Sequence, residues 1–158
     1  MYGLFKLISR QNKAADSLYS ALVRQARRPV FYADWAVPDT PDGRYNMIMI
    51  HAFLLMHRLK RDRQVTEEIS QAVFDLMFKD MDKNLREMGA GDVGIGHRVT
   101  DMAKAFYGRI AVYQKGLNQT DGSLEDAIAR NVYRNSSVAH YKIVQLCDYI
   151  RMEAERLA

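Results

Sequence analysis

The sequence predicts an all-α fold: a single compact helical domain of about six helices, with a long central helix followed by a glycine-rich loop. Three observations carry that expectation. Apolar residues recur at helical spacing over long segments, the 158 residues include only 3 prolines, and β-branched runs are few. A hydrophobic content of 48% beside 27% charged residues is ordinary for a soluble globular chain, and this length buries a core without staples.

Residues 1–12 are expected to be a flexible N-terminal segment, and residues 13–158 the helical domain. The stretch MYGLFKLISR is apolar and basic, but too short for a secretory signal and followed by no small-residue cleavage pattern. Its alternative is a membrane-surface toe, with Tyr2, Leu4, Phe5 and Leu7 dipping among lipids and Lys6 and Arg10 meeting headgroups. A first helix over about Lys13 to Arg27 turns Ala15, Leu18, Tyr19, Leu22 and Ala26 inward. Arg24, Arg27 and Arg28 crowd its end, where cations complement the helix dipole. A short aromatic segment follows Pro29, and Phe31, Tyr32 and Trp35 are expected at the core edge.

Thr40, Pro41 and Asp42 form a helix-start signal of cap, first-position proline and first-turn acid. The helix they open, through about Lys60, carries MIMIHAFLLM, apolar nearly all round and therefore packed on several sides. The run falls short of the ~20 residues a membrane span needs, and Asn46 and His51 interrupt it. His51 and His57 are six residues apart, on different faces of the helix, so they do not share a metal; no metal is expected. Arg58, Lys60, Arg61 and Arg63 form the densest basic cluster. It is either a solvated helix end or, with the net charge of +4, a patch for RNA or anionic lipid.

The central helix runs over 66–88. Phe74, Phe78, Met81, Leu85 and Met88 fall at steps of 4, 3, 4 and 3, which places them on one stripe. Ile69, Val73, Leu76 and Met77 widen that stripe beyond what one neighbour requires, while Asp75, Lys79, Asp82, Lys83 and Arg86 face water. Asp80 and Asn84 sit one turn apart in or beside the apolar arc, where a carboxylate must find donors. The expected role is a helix–helix hydrogen-bond anchor. Gly89, Gly91, Gly94 and Gly96 then stop the helix, Gly89 as a left-handed cap, with Asp92 bonding amides in the turn. A phosphate-cradling reading fails, because a helix precedes the loop and no Gly-Lys-Ser/Thr follows.

Val99, Met102, Ala103, Phe106, Ile110, Tyr113 and Leu117 mark the next helix. Gly108 inside it costs about 1 kcal/mol relative to Ala, so a neighbouring backbone is expected to approach there. Ser123 and Asp126 resemble a capping box opening a short helix to about Arg134. Ser136 or Ser137 caps a last helix with Val138, Tyr141, Val144, Cys147, and Ile150 or Met152, inward. A single cysteine excludes a disulfide framework and reads as a small buried hydrophobe. Nine methionines suit irregular cores, and equally surfaces that accept varied apolar partners.

The run FKDMDKNLREMGAGD over 78–92 closely resembles the signature of the ubiquinol–cytochrome c chaperone family. Pro38-Asp-Thr with Gly43-Arg-Tyr45, Lys104-Ala-Phe-Tyr-Gly-Arg109 and Ala127-Ile-Ala-Arg-Asn-Val-Tyr133 match in the same order. The likeness covers about residues 14–157; Ala90 stands where Val is common, and Gln114 where an acid is common. The resemblance implies an all-helical, non-catalytic assembly chaperone for the cytochrome bc1 complex. Its client would be the apolar cytochrome b subunit, or another membrane-protein client, bound during synthesis or maturation. With no long N-terminal extension, the chain looks like a bacterial relative, expected in the cytoplasm or peripherally at the inner membrane. Ribosome or anionic membrane contact is expected, and DNA and cofactors are not. The motif and client-binding candidates are Met77, Asp80, Met81, Asn84, Leu85, Met88, Gly89, Asp92, Phe106, Tyr107 and Arg109. The alternative is a binder of quinone, haem or lipid in a pocket near Asp80, Asn84 and His51. An enzyme is not expected, because Asp80, Asp82 and Glu87 point different ways around one helix.

Overall fold

The computed structural model describes residues 2–87, 92–134 and 136–157. Seven α-helices and one 3-10 turn follow one another among these residues, without a strand. They are α1 (Tyr2–Ala26), α2 (Pro29–Ala33), α3 (Pro41–Leu59), the 3-10 turn Lys60–Asp62, α4 (Arg63–Glu87), α5 (Asp92–Leu117), α6 (Ser123–Asn131) and α7 (His140–Arg156). The helices group into two compact units, one made of residues 1–21 and 59–108, the other of 22–58 and 109–158.

The first unit is built on α4. Val73, Phe74, Met77, Met81 and Leu85 are all at most 4% exposed, so the stripe read from periodicity is the buried face. Phe74 meets Phe106 of α5 edge-on at 5.1 Å, and Phe78 meets the same ring at 6.1 Å. Such pairs add about 0.5–1.5 kcal/mol beyond their area. Thr66 donates its hydroxyl to the Leu59 carbonyl at 2.6 Å, tying the first turn of α4 back across the 3-10 turn.

The second unit is built on α3, which is buried without interruption from Tyr45 to Leu54. Thr40 caps it, accepting from the Gly43 amide at 3.1 Å. At Gly43 a Cβ would collide with the Pro38 carbonyl oxygen, so only glycine lets the chain fold back there. Phe31 packs against Trp35 at 5.4 Å and Tyr149 at 5.1 Å. Phe31 is fully buried, inside the core rather than at its edge. Gly116 of α5 admits α6 closely, since a Cβ there would lie 2.9 Å from Leu124 Cα.

Several expectations are corrected. Helix α1 begins at Tyr2, eleven residues before Lys13, because the intervening residues include no proline and one glycine. The glycine-rich stretch is not all loop: α5 begins at Asp92, and Gly94 and Gly96 are helical. Glycine weakens a helix by about 1 kcal/mol, which a 26-residue helix absorbs. Met88 and Gly89 lie outside the described residues. Among the described residues no neighbouring atom lies within 4 Å of a Cβ at Gly108, so none of the described backbone approaches it. No capping box opens α6: Gly122 at φ 84° is the cap position, and Asp121 accepts from the Ser123 amide at 3.0 Å. The N-cap of α7 is Ala139, in extended backbone, so neither Ser136 nor Ser137 caps α7. Cys147 and Ile150 are inward as expected, but the stripe passes through Ile143 and Leu146 beside them. Ile143, Leu146, Cys147 and Ile150 form the buried stripe, while Tyr141 and Met152 are 61% and 55% exposed.

Candidate functional site

The residues singled out by the sequence fall in both units, and most serve packing. In the first unit, Tyr19 donates its hydroxyl to Asp80 Oδ2 at 2.6 Å, tying α1 to α4. Asp80 is therefore the interhelical anchor its place in the apolar arc predicts. Asn84, one turn on, is half-buried. Met77, Met81, Leu85 and Phe106 are 0–3% exposed, so in this conformation their side chains fill the core and are not open to a partner. Tyr107 behaves differently. Its ring touches Phe106 and Phe74, yet the residue is 53% exposed. The Asp92 side chain lies outside what is described.

Arg109 belongs to the second unit. Its Nη1 donates to the Asn46 side-chain oxygen and to Met49 Sδ at 3.1 Å. Asn46 is only 4% exposed, and the guanidinium answers its buried acceptor. The other polar interruption of α3, His51, is also satisfied. Its Nδ1 lies 2.7 Å from the Met47 carbonyl and its Nε2 2.8 Å from the Tyr149 hydroxyl. Sequence periodicity marked Asn46 and His51 as interruptions, but their partners lie 63 and 98 residues away.

Lys60, Arg61 and Arg63 are exposed at the 3-10 turn and the first turn of α4, and Arg58 is half-buried before it. Arg63 lies 3.7 Å from Glu67. Val65, unremarked in the sequence, stands 77% exposed beside this cluster. Cys147 is fully buried, and burial pushes its thiol up to about 12, so it is not a nucleophile.

The residues expected around one small-molecule pocket are divided between the two units. His51 belongs to the second unit, Asp80 and Asn84 to the first. Three surface depressions have other linings. One of about 680 Å³ is walled by Arg27, Tyr32, Asp39 and Arg44, one of about 500 Å³ by Glu125, His140 and Arg151, and one of about 330 Å³ by Asp16, Ala72 and Lys79. No group of three metal-ligating side chains gathers among the described residues, and no described helix is long and apolar enough to cross a membrane.

Fold and site together define an all-helical protein whose distinctive side chains fill cores and tie helices. Residues 33–158 match the family model described as ubiquinol-cytochrome C chaperone. Two relatives carry the name ubiquinol-cytochrome c reductase complex assembly factor 1. The one from Xenopus laevis is 22% identical over 144 residues, covering 91% of this chain and 72% of the relative. The one from Drosophila melanogaster is 20% identical over 154 residues, covering 94% of this chain and 60% of the relative. The crystal structure of the Cbp3 homolog from Brucella abortus shares 35% identity at a TM-score of 0.86, over 99% of this chain and 87% of that one. The chain belongs to the ubiquinol–cytochrome c chaperone family, a family of non-catalytic assembly factors.

Proposed function

We propose that this protein is an assembly factor for the cytochrome bc1 complex that holds the apolar cytochrome b subunit while it is made and matured. The observation carrying this reading is the extent of the likeness. At 35% identity it spans 99% of the chain, so the whole body, not one motif, is shared with the Brucella Cbp3 homolog. Both curated relatives are named as assembly factors of the same complex.

Of the candidate client residues described, Tyr107 is the one more than half exposed, and it lies in the family-like run Lys104–Arg109. We assign it, with exposed Lys104, to client contact. An aromatic ring held against Phe74 and Phe106 offers apolar area at low entropy cost. The exposed Lys60, Arg61 and Arg63 are assigned to the anionic surroundings in which such a client emerges, headgroups or ribosomal RNA.

Deleting the gene in its host tests the function. Assembled bc1 complex should fall while other respiratory complexes persist; unchanged bc1 content would overturn the proposal. A photo-crosslinking residue at position 107 should capture cytochrome b, and capture at Val65 alone would move the contact elsewhere.

A further inference from the structure

We propose that the hydrogen-bond chain Gln25–Tyr149–His51–Met47 is an acid-sensitive latch holding α7 on α3, opened by one proton on His51. The chain has a single direction. The Met47 carbonyl only accepts, so the Nδ1 beside it at 2.7 Å carries the ring proton. In the neutral ring Nε2 is then bare and accepts from the Tyr149 hydroxyl at 2.8 Å. The Tyr149 oxygen in turn accepts from Gln25 Nε2 at 3.0 Å. Three segments distant in sequence are thereby joined: the end of α1, the middle of α3 and the outer half of α7.

A second ring proton breaks this order. Nε2–H would then face the tyrosine O–H, which loses its acceptor and must turn away before its oxygen can accept Nε2–H beside the Gln25 amide. The site gives the cation little else. Phe31 of α2 stacks 5.6 Å from the ring and is apolar. Glu153 of α7 is the acid that favours the charged ring, but Arg156 holds its carboxylate at 2.7 Å. Arg28, at the end of α1, acts on Tyr149 as a further positive charge. Burial holds the imidazole below its ordinary 6.5, outweighing the Met47 carbonyl and Glu153. A base depressed in the folded state binds fewer protons folded than open. The latch is therefore fully closed above about pH 6.5 and weakens as pH falls below it.

One proton of difference changes the opening equilibrium by at most about tenfold per pH unit, and by less near 6.5, where the open-state imidazole is only half protonated. Amide hydrogen exchange of the full chain between pH 7.5 and 5.5, corrected for intrinsic rate, reads this directly. Leu146, Ile150 and Ala154 of α7 should lose protection by up to about fivefold from pH 6.5 to 5.5, while Met77 and Met81 of α4 hold theirs. Unchanged α7 protection, or parallel loss in α4, would overturn the latch. His51→Gln should abolish the pH slope in α7, and a retained slope counts against the proposal. If that variant does not fold, the wild-type imidazole resonance decides: titration at or above 6.5 refutes the latch, and titration below 6.5 together with α7 shifts supports it.

Discussion

Removing the hydroxyl of Tyr19 isolates the interhelical bond that the sequence anticipated without naming its donor. In Tyr19→Phe the ring stays and the 2.6 Å bond to Asp80 is lost. A hydrogen bond to a charged acceptor contributes about 1.5–3 kcal/mol net. Asp80 is half-buried, so water partly replaces the lost donor and the expected cost falls to about 1–2 kcal/mol. For a chain of this size that lowers Tm by roughly 2–8 °C. Urea denaturation gives the stability change at constant m. Asp80→Ala and the double variant complete a cycle, whose coupling should be about 1 kcal/mol. A coupling within roughly 0.3 kcal/mol of zero would show that the two side chains merely adjoin and that Asp80 is no anchor.

Gly43→Ala should cost roughly 1–3 kcal/mol or more in urea melts, because its methyl enters space held by the Pro38 carbonyl. Met81→Ala, at a site 1% exposed, should cost about 2–5 kcal/mol, and a loss under ~1 kcal/mol would mean the residue is not core. Cys147 should resist a thiol reagent at pH 8 in the native protein and react once urea unfolds it, since burial pushes its thiol up to about 12. Reaction at the rate of a free thiol would contradict that burial.

How much was legible follows from the range of each signal. The stripe Phe74–Leu85 and the Thr40 cap depend on neighbours within a few residues, and both stand in the structure as read. Asp80 is intermediate: periodicity placed a carboxylate in an apolar arc, but its donor lies 61 residues away and only packing brings it there. The errors at α6 and α7 share one cause. A serine beside a glycine looks like a cap, yet Gly122 takes the left-handed position and Asp121 supplies the acceptor. At α7 the N-cap is Ala139, in extended backbone with no side-chain cap bond, and the buried stripe passes through Ile143 and Leu146 instead of Tyr141 and Val144. Tyr141 and Met152 therefore lie on the surface, and Tyr149, unread in the sequence, is the residue that bonds His51. The methionines divide on the same ground. Met47, Met49, Met77 and Met81 are buried and Met152 is exposed, so count alone did not tell gap-fillers from contact surface.

Gly108 separates the demands of folding from those of function. It stands inside α5, where alanine would stabilise the helix by about 1 kcal/mol, and a Cβ there meets nothing within 4 Å. Packing among the described residues gives no reason for glycine at this position. It adjoins the exposed Tyr107, in the run that resembles the family signature. Gly108→Ala should therefore raise the midpoint of urea unfolding. If Tyr107 is where a client docks, the same methyl should lower bc1 assembly when the variant replaces the wild type in its host, since it widens a helix the client must approach. A more stable protein with undiminished assembly would leave Tyr107 an ordinary surface residue and send the search for the contact to Val65 or the exposed side of α7.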